Sequence, residues 1–294
     1  MPNKLLRKAR NTPNKIKREL LRIPPLQVLS QRIYQTGLNN YLPFLPKISA
    51  THTSLVKSLQ KEGITITSLE QLGIPNTSKV LKKVQQILPE LQNVSSANRD
   101  TLRLSWSRIM SNPEIFLWGL EPTLLDLIEN YIGLPLNYYG ADIRREFPNG
   151  KAVHVRQWHI DTEDHKMLKI IIYLNDVDVS SGPFEYLSRT DSELAAKTLK
   201  YSSGFVSDSN MDATIPQANW QPCTGKFGTA ILVDTCRIFH RAKPPSKKDR
   251  FSLTFSYTSH QPVARRCKLK LSPQEWSKIT AQLNQRQINC LYYN

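Results

Sequence analysis

Residues 158–177, WHIDTEDHKMLKIIIYLNDV, join a cluster of polar side chains to an apolar run. The first eight residues hold two of the chain's six histidines and three of its carboxylates. The apolar run that follows is rich in β-branched residues, which predicts a buried strand. Burying ionisable groups costs free energy unless partners or a metal ion offset it. The stretch therefore predicts a strand that enters the core beside a binding site.

The sequence around this stretch predicts a mainly β core within an α+β protein. Short β-rich runs are separated by Gly, Pro, Asn and Asp, and they cover residues 136–147, 154–161, 167–177, 182–188, 226–234 and 250–258. No helical pattern stands between most of them, which favours a sandwich or a barrel over a βαβ sheet.

The regions on either side of the β-rich part are predicted to be helical. Apolar residues recur at three- and four-residue spacing in 53–63, 76–92 and 121–135. Ser272 to Glu275 form a capping-box motif that opens a final helix over 273–288. The predicted organisation is a basic extension (1–25), a helical region packed on the β core (26–134), the β core itself (135–265) and a C-terminal helix (266–294).

The composition is that of a water-soluble globular protein. Hydrophobic residues make up 39% of the 294-residue chain and charged residues 22%. No apolar run approaches the roughly 18 residues that span a bilayer, and the N-terminus lacks the apolar segment of a secretory signal. The four cysteines show no metal-binding spacing, which favours free thiols in a reducing compartment. We expect a cytoplasmic protein.

The net charge of +16 is unevenly distributed along the chain. Residues 1–25 hold eight Lys or Arg and one Glu, which is +7 of that total. Such a segment can contact an anionic membrane, nucleic acid or an acidic protein, or it can be a solvated tail. The charge also suits an acidic or carrier-bound substrate.

A pair of metal-ligand types stands two residues apart at His159 and Asp161. Alternate residues of a strand share a face, so the imidazole and the carboxylate point the same way. A third ligand must come from elsewhere, and the other histidines are His52, His154, His165, His240 and His260. His240 follows a buried strand and is the best candidate. Two histidines and one carboxylate are typical of non-haem Fe(II) oxygenases, whereas the HExxH motif of a zinc hydrolase is absent.

Ten residues after His240, Arg250 begins the run RFSLTFSY. Arg250, Ser252 and Thr254 alternate with apolar residues, so one face of this strand is predicted to be polar. An arginine and a hydroxyl beside a metal can bind a carboxylate. Lys169 alternates onto one face of its own strand. Arg144 and Arg145 are neighbours on a strand, so at most one of them faces the pocket.

Together, the Trp158-His159-x-Asp161 motif, the segment SSGPFEYLS (180–188), His240 and Arg250 resemble the phytanoyl-CoA dioxygenase-like branch of the Fe(II)/2-oxoglutarate oxygenases. The resemblance covers about residues 135–260. It implies a double-stranded β-helix (a cupin-like jelly roll) in which His159, Asp161 and His240 hold Fe(II). It also implies that Arg250 and Ser252 bind 2-oxoglutarate. An inward-pointing Lys169 could reach 2-oxoglutarate or the substrate, although the sequence favours a solvated lysine at this position. The family's PGSH-like turn is replaced here by LSRTDSE (187–193), so the substrate need not be phytanoyl-CoA.

The predicted function is an Fe(II)/2-oxoglutarate-dependent dioxygenase that uses O2, hydroxylates or otherwise oxidises an unactivated C–H bond of a small or lipid-like metabolite, and releases succinate and CO2. The retained carboxylate of Asp161 favours hydroxylation over halogenation. The alternative is a catalytically inactive jelly-roll binding protein. A nucleic-acid-modifying oxygenase is less favoured, because Ser256 stands where DNA-repair dioxygenases place a second arginine and no aromatic-interleaved basic patch is present.

Overall fold

The computed structural model describes residues 23–95, 99–264, 269 and 271–291. Almost all of the basic segment 1–25 lies outside the described residues, and so does Cys267. The predictions made for that segment, a membrane, nucleic-acid or protein contact, are therefore predictions about residues that the structure does not describe.

Two antiparallel sheets form the β part of the described chain. The nine described strands are β1 (Ile64–Ser68), β2 (Thr101–Arg103), β3 (Leu136–Glu146), β4 (Leu168–Tyr173), β5 (Phe184–Tyr186), β6 (Gln221–Cys223), β7 (Thr229–Asp234), β8 (His240–Ala242) and β9 (Arg250–Ser259). The main sheet has the order β1-β7-β4-β9-β3-β2, and the small sheet has the order β6-β5-β8. All of these pairings are antiparallel.

Helices precede, interrupt and follow the sheets. The described helices are α1 (Pro24–Tyr41), α2 (Ala50–Glu62), α3 (Leu69–Leu72), α4 (Thr77–Ile87), α5 (Pro89–Gln92), α6 (Trp106–Met110), α7 (Pro113–Trp118), α8 (Pro122–Ile132), α9 (Arg189–Thr198), α10 (Asp208–Asp212), α11 (Pro273–Thr280) and α12 (Gln285–Asn289). Short 3-10 helices lie at Leu42–Phe44, His154–Arg156, Val179–Ser181 and Gln217–Asn219.

The mixed α+β class and the antiparallel sheets agree with the sequence prediction, but three local predictions need correction. The region expected to be helical also supplies β1 and β2, whose hydrogen bonds are completed only by strands far along the chain. Residues 154–161 are not a regular strand, because they begin with a 3-10 turn and then pair only through isolated bridges. The last helix ends at Thr280 and a second one, α12, starts anew with its own cap at Asn284.

The two faces of the main sheet have opposite characters, and this positions the site. On one face, alternate residues of β4 and β9 join a large apolar core with α7 and α8; these include Ile170, Ile172, Leu253 and Phe255. The residues between them point the other way and line a cavity. The small sheet contributes to the same cavity through β5 and β8. The site therefore lies between the two sheets.

The described part of the chain contains no helix that is both long and apolar enough to cross a membrane. Its cysteines, Cys223, Cys236 and Cys290, are free thiols.

Candidate metal centre and its cavity

His159 and His240 are brought together by the backbone. The His159 N–H donates to the His240 carbonyl at 3.1 Å, and the His240 N–H donates back at 3.0 Å. His240 is the first residue of β8, while His159 lies outside any regular strand. Their ring centroids lie 4.3 Å apart. Two residues 81 positions apart in sequence thus form one rigid pair.

Both imidazoles present the same nitrogen to the centre of the site. Nδ1 of His159 lies 2.9 Å from the Gln157 carbonyl, and Nδ1 of His240 lies 3.1 Å from the Ile238 carbonyl. A carbonyl oxygen can only accept a hydrogen bond, so each Nδ1 carries the N–H that donates to it, and the Nε2 of each neutral ring keeps its lone pair. The hydrogen bond from Nδ1 to the carbonyl fixes the tautomer and the orientation of each ring, as metal-binding histidines require.

Asp161 completes a compact group of three ligand atoms. Its Oδ1 lies 3.9 Å from Nε2 of His159, and its Oδ2 lies 4.0 Å from Nε2 of His240. The three donor atoms all lie within 4.8 Å of one another. Two atoms bound to one ion at about 2.1 Å are at most about 4.2 Å apart, and neither measured separation exceeds that limit. The Asp161 N–H donates to the Thr235 carbonyl at 2.8 Å, which anchors the carboxylate.

Burial keeps the two imidazoles neutral. It lowers the pKa of His159, and the nearby Asp161 carboxylate only partly opposes this effect. It lowers the pKa of His240 further, and proximity to His159 adds to the effect. A metal binds the neutral imidazole, so this environment favours the ligand form at neutral pH.

The remaining histidines lie elsewhere or have other contacts. His52 contacts the Leu72 carbonyl at 2.8 Å through Nε2, and His165 stacks on Tyr34 with ring centroids 4.1 Å apart. His260 is exposed, and His154 is exposed with a ring contact to Phe205. The structure thus groups with His159 and Asp161 the same histidine that the sequence favoured; its role as a ligand stays a prediction.

Lys169 lies in the site and is not a solvated surface lysine. Its Nζ donates to Oδ2 of Asp161, and its side chain is only 17% exposed. It extends from β4 on the cavity face, between residues that join the apolar core. An ammonium at this position neutralises the carboxylate and can also reach a ligand in the cavity.

Arg250 and Ser252 stand on the cavity face of β9. Both are buried and line the cavity, together with Thr254 and Ser256. Phe251, Leu253, Phe255 and Tyr257 point into the apolar core. Because β9 is the strand between β3 and β4, its polar face runs through the middle of the main sheet. The alternation predicted from RFSLTFSY is confirmed.

The Arg250 guanidinium is held at a fixed position by the chain segment before β5. Its Nη1 donates to the Gly182 carbonyl. Gly182 has φ +64°, and a Cβ there would lie 2.4 Å from the Lys243 carbonyl oxygen and 2.4 Å from the Pro245 nitrogen. Only glycine fits that backbone. Burial lowers the pKa of Arg250 and the Glu146 carboxylate acts in the opposite direction; an arginine nonetheless stays charged in proteins.

The cavity that contains these groups has a volume of about 440 Å³. The charged residues and the two histidines that line it come from both sheets and from the segment before β4. Its apolar lining includes Leu104, Trp106, Tyr139, Val155 and Phe184. A β-bulge near Gly140 in β3 brings that strand close to Trp106. A Cβ added to Gly140 would lie only 2.9 Å from the Trp106 ring. The volume suits a small organic molecule in addition to a cosubstrate.

Two buried ion pairs support the segments that carry the histidines. Arg156, 1% exposed, pairs with Glu146 on β3 at 2.9 Å, which ties the turn before His159 to the main sheet. Arg241, next to His240, pairs with Glu185 at 2.6 Å. The Arg241 guanidinium also packs on the ring of Trp158, at 4.7 Å. Trp158 is therefore a buried support of the site and not a ligand.

Sequence reasoning missed part of the cavity wall. Arg144 lines the cavity, whereas Arg145 points away and donates to the carbonyls of Leu91, Gln92 and Val94. The alternation of β3 predicted that only one of the two faces the pocket, but not which one. Arg103 also lines the cavity. Its three-residue strand has no periodicity that a sequence pattern could reveal.

Comparison with solved structures finds iron-site proteins of similar shape, whereas no family model and no curated protein matches the sequence. The epimerase SnoN, in complex with Fe3+, α-ketoglutarate and nogalamycin RO, is 16% identical with a TM-score of 0.49, covering 74% of this chain and 87% of SnoN. HygX from Streptomyces hygroscopicus, with nickel, 2-oxoglutarate and hygromycin B, is 13% identical with a TM-score of 0.47, covering 70% and 86%. EctD from S. alaskensis, with bound Fe, is 14% identical with a TM-score of 0.48, covering 75% and 82%.

Over most of its length, the chain is similar to these proteins.

Proposed function

We propose that this chain is a non-haem Fe(II)/2-oxoglutarate-dependent oxygenase that hydroxylates, or otherwise oxidises, an unactivated C–H bond of a small or lipid-like molecule. One observation carries the proposal. His159, Asp161 and His240 converge in a buried group whose neutral imidazoles and carboxylate suit a ferrous ion, and the same cavity contains a buried arginine. Two histidines and a carboxylate on one side of the ion leave three positions for other ligands.

The proposed roles follow from what each side chain can do. His159, Asp161 and His240 hold the metal. Arg250, with the Ser252 hydroxyl beside it, binds the distal carboxylate of 2-oxoglutarate, since a guanidinium fork matches a carboxylate. When bound, ferrous ion and 2-oxoglutarate supply the oxidising chemistry: O2 is consumed, the keto acid is split into succinate and CO2, and one oxygen atom is left for the substrate.

Lys169 has a positioning role in this proposal. Its ammonium orients the Asp161 carboxylate through the contact at Oδ2. The same group lies on the cavity wall, where it can also contact 2-oxoglutarate or the substrate. Phe184 and Val155 help to exclude water from the metal, because both are apolar and border the same space.

We further propose that the two sheets are opposite walls of a double-stranded β-helix built mainly from residues 135–265. In this proposal β1 and β2 add the two edge strands of the main sheet, and the helices of residues 26–134 and of the C-terminal part 266–294 pack on it. The mutual hydrogen bonds of His159 and His240 support this proposal, since they join the small sheet to the segment that leads into β4. Residues of both sheets also line one cavity.

We also propose that the protein is cytoplasmic and that residues 1–25 contact anionic membranes. Their sequence has a net charge of +7. The following helix α1 has no buried residue and exposes Leu26, Val28, Leu29 and Ile33. Flotation of the full chain with phosphatidylserine vesicles, compared with a chain lacking residues 1–22, tests the contact. Equal flotation of the two would refute it.

The decisive experiment is an anaerobic titration of the purified protein with Fe(II) and 2-oxoglutarate, monitored by the weak visible charge-transfer band of the chelate. We expect a saturable band that requires both components, followed by succinate formation on exposure to air. A folded protein that binds neither component would support the alternative of an inactive binding module. Succinate formation stimulated by single-stranded DNA or RNA, and by no small molecule, would favour the nucleic-acid alternative.

A further inference from the structure

Two arginines stand directly opposite each other on the cavity face of the main sheet. Arg103 of β2 pairs in register with Arg144 of β3, and both line the cavity. Like charges directly opposite on neighbouring strands are destabilising, so a sheet does not gain stability from this arrangement. The pair is consistent with a site for an anion.

A single carboxylate lies between the two guanidiniums. Asp142, two residues before Arg144 on the same face, contacts Arg144 Nη2 and lies 3.6 Å from Arg103 Nη1. Burial raises the pKa of Asp142, but Arg144 and Arg103 outweigh burial and the pKa ends below its ordinary value. Asp142 is therefore ionised, and the three groups together carry one net positive charge.

Arg144 also has an unused donor. Its Nε is buried and has no hydrogen-bond partner among the described residues. A buried donor without a partner costs free energy, so the protein does not fully satisfy this guanidinium. The Arg144 side chain lines the cavity and is 18% exposed, and a guanidinium can present two N–H groups to one carboxylate, phosphate or sulfate group.

The cavity as a whole favours an amphiphilic anion. Its charged lining residues are Arg103, Arg144, Lys169, Arg250, Asp142 and Asp161, four cationic and two acidic. Fe(II) and 2-oxoglutarate would leave this surplus intact, because the charges of the ion and of the cosubstrate cancel. Near the two arginines the wall becomes apolar, with Leu104, Trp106 and Tyr139.

We propose that Arg103 and Arg144 bind the acid group of the substrate, and that the apolar body of the substrate lies along Trp106 and Tyr139 with its far end at the metal triad. This inference rests on the proposed oxygenase function and names its substrate class: an organic molecule that bears a carboxylate, phosphate or sulfate.

The order of the strands sets the distance between acid group and oxidised carbon. Arg103 is on β2 and Lys169, which contacts Asp161, is on β4; the two are separated by β3 and β9. Three strand spacings of about 4.8 Å amount to roughly 14 Å across the sheet. Lys169 is also offset along the strands, since it pairs with Ser256 whereas Arg144 pairs with Ser252. The oxidised carbon is therefore several bonds from the acid group, and not adjacent to it.

Arg144 stands opposite Ser252, so it also borders the proposed 2-oxoglutarate position, whereas Arg103 is one strand further away. A test must separate the two ligands. The probes are octanoate, octyl phosphate and octyl sulfate, with octanamide as the neutral match of octanoate. They are added to the full chain loaded anaerobically with Fe(II) and 2-oxoglutarate, and binding is followed by the change in the visible band and by isothermal calorimetry.

We expect at least one acid to bind more tightly than octanamide. Arg103→Gln and Arg144→Gln should each lower the affinity for that acid about tenfold or more, as expected for the loss of a charge-assisted contact. The affinity for 2-oxoglutarate should change less in Arg103→Gln than the affinity for the acid. The matched control is Arg189→Gln, since Arg189 pairs with Glu193 on the surface of α9 and is outside the cavity; it should bind all ligands like the wild type. Circular dichroism of each variant verifies folding.

Three outcomes would overturn the inference while leaving the oxygenase proposal intact: no acid binds, octanamide binds as tightly as every acid, or Arg103→Gln leaves acid affinity unchanged. Loss of 2-oxoglutarate affinity in Arg144→Gln without loss of acid affinity would assign Arg144 to the cosubstrate and also contradict the inference. Absence of the visible band in the wild type is a different result, because it contradicts the oxygenase proposal itself.

Discussion

His159 and His240 exchange two backbone hydrogen bonds, and each turns Nε2 toward the carboxylate of Asp161. The two imidazoles are thus held by the main chain and not only by their own side-chain contacts. Each Nδ1 is occupied by a carbonyl two residues earlier in its own segment. A ligand pair held in this way loses little conformational entropy when a metal binds.

Replacing Asp161 by alanine should remove the charged member of the metal group. We expect Asp161→Ala to weaken Fe(II) binding by at least about 100-fold and to abolish succinate formation, because two neutral imidazoles remain. Anaerobic metal titration and a succinate assay measure the two effects. Asp176→Asn is the matched control, since Asp176 pairs with Lys226 at the surface. Turnover of Asp161→Ala at the wild-type rate would exclude the proposed role.

Changing Arg250 should separate cosubstrate binding from metal binding. We expect Arg250→Lys to weaken the binding of 2-oxoglutarate by about tenfold or more, because an ammonium cannot replace a two-point guanidinium contact. Ser252→Ala should cause a smaller loss, and Fe(II) affinity should stay close to that of the wild type in both variants. Calorimetry with 2-oxoglutarate on the metal-loaded protein gives these values. Unaltered 2-oxoglutarate affinity in Arg250→Lys would contradict the assignment.

Gly182 offers a test of how Arg250 is positioned. An alanine there combines a positive φ with backbone atoms 2.4 Å from the new Cβ. We expect Gly182→Ala to destabilise the protein by about 3 kcal/mol or more and to weaken 2-oxoglutarate binding, since the carbonyl that accepts from Arg250 must move. Gly150→Ala is the matched control, with the same φ of +64° and nothing within 4 Å of the added atom. It should cost only about 1 kcal/mol and leave 2-oxoglutarate binding intact. Urea denaturation of both variants compares them, and equal losses would argue against steric exclusion at Gly182.

The buried carboxyl of Asp234 should make stability depend on pH. Burial raises its pKa to about 6, although Tyr131 donates to Oδ2 at 2.6 Å. An unfolded aspartate ionises near pH 4, so between about pH 4 and pH 6 the folded state binds more protons than the unfolded state. The protonated Asp234 carboxyl therefore stabilises the folded state at low pH, and this contribution to the free energy of unfolding is lost as the pH rises through 6. The loss is on the order of 3 kcal/mol.

Asp234→Asn removes that titration and keeps the shape of the side chain. We expect the stability of the variant relative to the wild type to rise between pH 4.5 and pH 7, as measured by urea midpoints at both values. Parallel pH profiles of the two proteins would show that Asp234 does not titrate in this range. Asp212→Asn, on an exposed carboxylate at the end of α10, is the control and should leave the profile unchanged.

The sequence by itself determined features that repeat over a few residues. The alternation of Arg250, Ser252 and Thr254 with apolar neighbours fixed the two faces of β9, because side chains of a strand alternate whatever it pairs with. The spacing of His159 and Asp161 placed both on one side of the chain, although the segment is held by isolated bridges and not by a regular strand. The capping motif at Ser272 likewise set the start of α11.

Only the tertiary structure decided which distant residues meet. The register of β2 against β3 sets Arg103 opposite Arg144, and the bridge between His159 and His240 selects one histidine out of several. These pairings depend on hydrogen bonds between segments far apart in the chain, and a local pattern contains no information about register. The contact between Lys169 and Asp161 is likewise visible only in the folded chain. Strand alternation groups the side chains into two faces, but it does not tell which face points into the protein. The local pattern thus fixed the types of side chain available, and long-range pairing placed them around one cavity.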